Sequence, residues 1–183
     1  DSSETIWATD HGPQGGDELN MVTEGSHFGW PLASYGIDYN NKPLPLADSP
    51  GRHTEFEYSE SESGSDTATF DKPLFSWIQA IAPTEILKVE GDSFQLWQYD
   101  LLIISLRDQS LHRIRTADNN SRVIYDERID LGYRLRDMTI LPDGSLAIMT
   151  DDKILIIIRD GGPVYRDTTA EKRNQLRDGL NTY

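Results

Sequence analysis

Short apolar runs recur along the second half of the chain and predict β-strands. Residues 101–106 form one such run, and residues 110–116 alternate between apolar and polar side chains. The remaining runs cover residues 122–125, 138–141, 145–150 and 154–158. Strands of this length, spaced by roughly 8–12 residues, are typical of all-β sandwiches, barrels and propellers.

Turn-forming residues separate these runs and support the strand prediction. Pro142-Asp143-Gly144 combines the fixed φ of proline with a glycine that accepts positive φ, which predicts a tight turn. Asp151-Asp152 is the expected hairpin between the last two strands. The run Ile154 to Ile158 is wholly aliphatic and predicts a strand buried on both faces, as an inner propeller strand would be.

Three other segments do not follow the strand pattern. Residues 32–52 are rich in glycine and proline and predict a long excursion, and residues 59–69 are acidic and predict a surface loop. Residues 161–183 begin with Gly-Gly-Pro and then become polar. We therefore expect residues 1–160 to form the folded part, and residues 161–183 to be a polar terminal extension or linker.

Composition and charge exclude several classes of function. The 183 residues carry 31 acidic and 17 basic side chains, a net charge of -14, which disfavours binding to nucleic acid or to anionic lipid surfaces. The absence of cysteine excludes disulfides, thiol catalysis and zinc–thiolate sites. No apolar run approaches the roughly 18 residues of a membrane span.

The segment His11–Asn20, HGPQGGDELN, is the richest in candidate chemistry. It holds three glycines, a proline, a histidine and two carboxylates, and Phe28-Gly29-Trp30-Pro31 follows it. So many glycines predict a sharp turn, or a backbone that approaches another group closely. Asp17 and Glu18 are either surface carboxylates or supports of this loop that accept its N–H bonds, and we favour the second interpretation. His11 is expected to line a pocket or to pack, and the other histidines show no functional pattern.

Four segments, in order along the chain, resemble the soluble quinoprotein sugar dehydrogenases, which use pyrroloquinoline quinone (PQQ). They are the HGPQGGDELN loop with Phe-Gly-Trp-Pro, residues 73–83, residues 100–114 and residues 133–144. This glucose or sorbosone dehydrogenase resemblance implies an all-β, six-bladed β-propeller that binds PQQ and calcium. It also implies that this chain is the C-terminal half, covering about two to three blades.

The resemblance implies partners and a location as well. The full-length parent is expected to be a PQQ-dependent aldose sugar dehydrogenase in the periplasm or secreted. It would pass hydride from an aldose to the quinone, and electrons to an acceptor such as a cytochrome or a quinone. The family's catalytic histidine lies in an earlier blade, so this chain alone is expected to be inactive. It is also expected to need the missing N-terminal propeller half, or to self-associate.

The same resemblance transfers particular roles to residues of this chain. The carbonyls of Gly12 and Pro13 match those that coordinate calcium in the family, and calcium accepts backbone oxygens in irregular loops. A tight turn without an ion is the alternative for this pair. Trp77 matches a tryptophan that packs on the flat quinone, with ordinary core packing as its alternative.

Three arginines are the remaining cofactor candidates. Arg107, Arg134 and Arg136 match positions near PQQ, whose carboxylates suit guanidinium groups. Arg134 and Arg136 are expected to share one face of a strand because they are two positions apart. Arg107 replaces a lysine of the family, so its reach and geometry differ, and solvated surface charge is the alternative for the arginine pair. A non-catalytic, propeller-derived binding module remains the alternative function for the whole.

Overall fold

A computed structural model describes residues 5–31, 33–41, 70–90 and 93–160, and the backbone of residues 162–166. The chain divides into two compact units, Asp1–Ile81 and Ala82–Tyr183. Most of the predicted excursion at 32–52, and the whole of the predicted loop at 59–69, lie outside the described residues.

The first unit contains a three-stranded antiparallel sheet. Its strands are β1 (Ile6–Asp10), β2 (Asp17–Val22) and β3 (Phe75–Trp77), with β2 in the middle. The middle strand begins with four buried residues, of which Leu19 is apolar and the other three are polar. Buried polar side chains are rare unless they have hydrogen-bond partners or a functional role, so this strand and the loop before it are candidates for a functional site.

The second unit begins with a four-stranded antiparallel sheet in which neighbours in sequence pair in order. The strands are β4 (Pro83–Lys88), β5 (Leu101–Ser105), β6 (Ser110–Thr116) and β7 (Val123–Asp130). All five residues of β5 are buried, whereas the outermost strand, β7, has none that is fully buried. The bounds of β6 are those that the alternating pattern predicts.

A second four-stranded sheet of the same form completes this unit. It contains β8 (Leu135–Ile140), β9 (Leu146–Thr150), β10 (Leu155–Arg159) and β11 (Gly162–Arg166) in consecutive order. The turn before β9 is as predicted, since the Gly144 N–H donates to the Leu141 carbonyl at 2.8 Å and Gly144 has a φ of 79°. The strand β11 falls within the stretch 161–183, and the proposed boundary at residue 160 stays a prediction.

One hydrophobic core joins the two sheets of the second unit. It includes Leu102, Ile104 and Leu111 from the first sheet. The second sheet adds buried side chains from each of its first three strands and from the residue before β10: Leu135, Met138, Leu146, Ile148, Ile154 and Ile156. Consecutive antiparallel four-stranded sheets packed in this way are the arrangement of neighbouring propeller blades.

In the first of these sheets, the buried carboxylate of Asp100 links β6 to the residues just before β5. Asp100 is 2% exposed and accepts a hydrogen bond from Arg113 Nε at 2.6 Å. Arg115 donates to the same carboxylate through Nε at 2.7 Å and Nη2 at 2.9 Å. Both guanidinium groups also donate to the Leu96 carbonyl, so β6 is tied to the 3-10 turn at Gln95–Trp97. That turn is the one helical element among the described residues.

Candidate functional site

The loop between β1 and β2 is held by the carboxylate of Asp17. This side chain is 1% exposed, and its Oδ1 accepts the Gly12 N–H at 2.8 Å. Its Oδ2 accepts the N–H of Ile81 at 2.7 Å, so one carboxylate joins the loop to the segment after β3. The prediction that Asp17 accepts N–H bonds of the loop is confirmed.

Backbone packs directly against backbone in this loop, which explains its glycines. A Cβ on Gly12 would lie 1.9 Å from the Gly15 carbonyl oxygen, and one on Gly16 would lie 2.2 Å from the Gly36 nitrogen. Gly15 and Gly16 also have positive φ values, 84° and 73°. The sequence predicted either a sharp turn or a close approach of the backbone to another group, and this loop contains both.

Within the described residues, the carbonyl oxygens of Gly12 and Pro13 accept no backbone hydrogen bond. The Gly12 N–H is taken up by Asp17, and among the described residues no N–H donates to either carbonyl. Calcium is a hard cation that takes such oxygens, so this pair fits part of a calcium coordination shell. Within those residues no group of three or more His, Asp or Glu side chains is placed to hold a metal. The calcium role of Gly12 and Pro13 stays a prediction.

A small recess beside the loop is lined by ionisable side chains of the first unit. His11, Asp10 and Glu18 line it together with Gly12, Gly16, Phe28, Trp30, Ala33 and Ser34. Burial raises the pKa of Glu18; a hydrogen bond from Asn20 lowers it, and the charge of Asp10 raises it further. Glu18 faces this recess, and its Oε2 accepts a hydrogen bond from Asn20 Nδ2 at 3.3 Å. In the described part of the chain it accepts none of the loop N–H bonds that were expected of it.

Trp77 ends β3 in the first unit and packs within it. The residue is 7% exposed, and its indole meets the Phe75 ring edge-on, with the ring centroids 5.1 Å apart. Its carbonyl accepts the Gly16 N–H at 2.8 Å, so this residue braces the glycine loop through its backbone. This environment matches the core-packing alternative for the indole, and contact with a quinone stays a prediction.

In the second unit, Arg134 and Arg136 converge on one carboxylate. Arg134 Nε donates to Asp151 Oδ2 at 2.8 Å, while Arg136 donates to both oxygens, from Nη2 to Oδ2 at 3.2 Å and from Nε to Oδ1. Both side chains therefore reach the same carboxylate, although Arg134 lies just before β8 and only Arg136 lies within it. The hydrogen bonds from Arg136 and then Arg134 hold the pKa of Asp151 below its ordinary value.

This triad keeps one unneutralised positive charge, because two guanidinium groups share one carboxylate. Both arginines remain about half exposed, at 50% and 48%, so their outer N–H groups can still reach an anionic ligand. In the sequence, Asp151 lies in a predicted hairpin turn, and no local signal marks it as a partner of the arginines. Only the pairing of β8 with β9 reveals it.

Arg107 lies in the short loop between β5 and β6 of the same unit. It is exposed, and no carboxylate of the described residues forms an ion pair with it. Its neighbours in this loop are tightly bonded: Ser110 Oγ donates to the Asp108 carbonyl at 2.8 Å, and the Ser110 N–H donates to Ser105 Oγ at 3.1 Å. An unpaired guanidinium on a fixed loop fits the chemistry of an anion-binding group.

Two of the remaining histidines are structural. His27 accepts the Gly29 N–H through Nδ1 at 3.0 Å, and its ring packs on Phe70 with centroids 4.9 Å apart. His112 is 3% exposed and lies between two carboxylates. His53 lies outside the described residues. In the part of the chain that is described, no helix has the length and apolar character needed to cross a membrane.

Comparison with known proteins identifies the family. The sequence profile described as Glucose / Sorbosone dehydrogenase matches residues 1–159. The chain belongs to this family. The aldose sugar dehydrogenase YliI of Escherichia coli (strain K12) is 34% identical over 152 residues, which are 82% of this chain and 36% of that protein. This member of the glucose/sorbosone dehydrogenase family therefore spans about a third of the length of that relative.

Two further similarities bear on the fold and the cofactor. The crystal structure of a glucose dehydrogenase matches with a TM-score of 0.67 and 30% identity, covering 91% of this chain and 42% of that one. The quinoprotein glucose dehydrogenase B of Acinetobacter calcoaceticus is 21% identical over 195 residues, covering 85% of this chain and 40% of that protein. The structural neighbours are β-propellers, so the prediction of an all-β propeller, of which the chain is a part, is confirmed.

Proposed function

We propose that this chain is the cofactor-holding part of a PQQ- and calcium-dependent dehydrogenase that oxidises an aldose. The observation that carries the proposal is the Arg134–Asp151–Arg136 triad, whose surplus positive charge suits a ligand with several carboxylates. The aldose sugar dehydrogenase and quinoprotein names of its relatives support the same substrate and cofactor.

Each candidate residue has a limited and specific task under this proposal. Arg134 and Arg136 bind cofactor carboxylates, and Asp151 keeps the two guanidinium groups apart and aligned. Arg107 adds a further positive charge from its fixed loop. Gly12 and Pro13 offer carbonyl oxygens to calcium, while Asp17 prevents the loop from turning those oxygens away.

PQQ, when bound with calcium, would supply the acceptor for the hydride of the sugar. The arginines of this chain stabilise negative charge near that acceptor, because guanidinium groups stay protonated throughout the neutral range. The group that takes the hydroxyl proton is proposed to lie outside this chain, so the chain alone is inactive. Trp77 is proposed to face the cofactor through whatever part of its ring remains accessible.

The proposal extends to the whole protein and its surroundings. The full-length polypeptide would complete the six-bladed propeller with an N-terminal half, or the chain would self-associate. Residues 161–183 would lead away from the propeller as an extension or linker. The periplasm or the medium is the proposed location, and a cytochrome or a quinone the proposed electron acceptor. These statements rest on the family resemblance.

Binding and turnover by the full-length polypeptide test the proposal. PQQ affinity is measured by fluorescence titration with and without calcium, and dye reduction is followed with several aldoses. The variant Arg134→Gln/Arg136→Gln is expected to weaken PQQ binding by about a hundredfold, since two charge-assisted contacts are lost. Arg122→Gln, an exposed arginine before β7, is the matched control and should bind PQQ as the unmodified protein does.

A folded protein that binds neither PQQ nor calcium, and reduces no dye with any aldose, would overturn the proposal. That result would favour the non-catalytic binding module instead. If PQQ binds but the double variant binds it equally well, the dehydrogenase assignment survives and the role of the two arginines does not.

A further inference from the structure

His112 lies in the middle of β6 with both ring nitrogens facing carboxylates. Its Nδ1 is 2.9 Å from Asp126 Oδ1, and its Nε2 is 2.9 Å from Asp108 Oδ2. A neutral imidazole carries only one N–H and could satisfy only one of these two acceptors. The pair of short contacts therefore favours the imidazolium, which donates from both nitrogens.

Charged groups face His112 from two elements of the described chain. Asp126 and Arg128 face it from β7, and Asp108 faces it from the β5–β6 loop. On its other side, β5 places only the apolar Ile103 opposite it. Burial lowers the pKa of His112, but the hydrogen bonds and charges of Asp126 and Asp108 outweigh it and raise the pKa above 6.5.

Asp108 transmits this arrangement to the loop. Its carboxylate also accepts Arg128 Nε at 2.7 Å, and its carbonyl accepts Arg128 Nη2 at 3.0 Å. The next residue, Gln109, has a φ of 57°, and its carbonyl accepts the N–H groups of Leu131 and Gly132, each at 3.1 Å. The side chain of Asp108 and the backbone of Gln109 therefore hold the loop in place immediately after Arg107. In the described part of the chain, the Arg107 guanidinium has no ion-pair partner.

We propose that His112 positions Arg107, by clamping Asp108 as an imidazolium and so fixing the loop from which Arg107 meets an anionic cofactor. The inference rests on the proposed function, because it assigns Arg107 to PQQ binding. His112 touches no cofactor in this scheme and acts only through Asp108. Loss of the Nε2 proton leaves the Asp108 carboxylate facing a nitrogen lone pair, which loosens the loop and disorders Arg107.

The consequence is a pH dependence in the binding of PQQ that belongs to His112. Affinity is expected to be constant while the imidazolium persists and to fall by roughly tenfold as His112 deprotonates, about the worth of one charge-assisted contact. Asp126→Asn retains an oxygen that accepts Nδ1–H but removes a charge, so the fall should begin at lower pH. Glu127→Gln makes the same charge change at the neighbouring position of β7, where the side chain pairs with Arg113 rather than with the His112 cluster, and is the matched control.

Two measurements on the full-length polypeptide test the proposal. Nitrogen-15 NMR of the labelled histidines reports the protonation state of His112 in the absence of any ligand. PQQ affinity is then measured from pH 6 to 9 in the unmodified protein, in Asp126→Asn and in Glu127→Gln. The same series is repeated in an Arg107→Gln background, where the His112-dependent fall should disappear because its target has been removed.

The outcomes separate the positioning role from a structural one. A doubly protonated His112 at pH 7, a pH profile that shifts only in Asp126→Asn, and loss of the shift in Arg107→Gln together support the proposal. A neutral imidazole at pH 7, or equal shifts with and without Arg107, overturns it while leaving PQQ binding intact. Failure of the unmodified protein to bind PQQ overturns the proposed function, and this inference with it.

Discussion

Removing the Asp17 carboxylate is expected to destabilise the first unit strongly. Asp17→Ala leaves the Gly12 and Ile81 N–H groups without the acceptors they now reach at 2.8 and 2.7 Å. A hydrogen bond to a charged group contributes about 1.5–3 kcal/mol, so the two bonds together set a range of about 3–6 kcal/mol. The Gly12 bond is only partly buried, so water can replace some of it, and we expect a loss of about 3 kcal/mol.

The assay is urea unfolding of the full-length polypeptide, with the free energy of unfolding compared between variants. Asp17→Asn keeps one acceptor oxygen but turns an amide nitrogen towards the other N–H, so it should lose about 2 kcal/mol, less than the alanine variant. Asp118→Asn, in the exposed turn before β7, is the control and should change by less than about 0.5 kcal/mol. If Asp17→Ala is no more destabilising than this control, Asp17 does not hold the loop and our reasoning is wrong.

Three other predictions follow from contacts described above. Gly16→Ala should destabilise the protein far more than Gly25→Ala. Gly25 has positive φ, but an added Cβ there would lie in open space, so its replacement should cost about 1 kcal/mol of unfolding free energy. Equal losses in thermal unfolding would contradict the packing of backbone against backbone at Gly16. Asp100→Ala should lose about 3 kcal/mol in urea unfolding because two guanidinium groups lose their shared carboxylate, and a change within error would contradict this. The stability that His112 provides should be complete below pH 6.5 and lost as the pH rises through its raised folded-state pKa, and His112→Gln should abolish this dependence.

The apolar pattern predicted the interior strands well and the outer strand poorly. Residues 110–116 alternate cleanly and form β6 within those bounds. The predicted strand at 122–125 is the start of β7, which continues to Asp130 through mostly charged residues. Those charges are paired across the sheet, Glu127 with Arg113 and Asp126 with His112, and hydrophobic periodicity has no means of registering such pairs.

The start of β8 shows a second limit. The apolar pattern predicted a strand only from residue 138, although the two arginines were expected on a strand, and β8 begins at Leu135, which is fully buried. A bulge between Leu135 and Asp137 interrupts the alternation, so three residues of the strand appear irregular in sequence. The bulge also lies beside Arg136, one of the cofactor candidates.

The candidate site was predictable only where a role depends on local sequence. Asp17 follows its glycine loop directly, so its support of that loop could be inferred from the motif. Asp151 is 15 and 17 residues from its two arginines, and His112 is 14 from Asp126. Such partners are set by strand register, which a single sequence does not disclose.

The charges of β7 have a consequence for how this protein meets other molecules. An outermost strand presents unpaired N–H and C=O groups, which invite a strand of another chain to add to the sheet and begin aggregation. On β7, Asp126, Glu127, Arg128 and Asp130 make such addition costly, because an incoming strand would have to desolvate them or supply matching charges. The ion pairs that set the register of β6 and β7 therefore also keep the blade from growing at that edge.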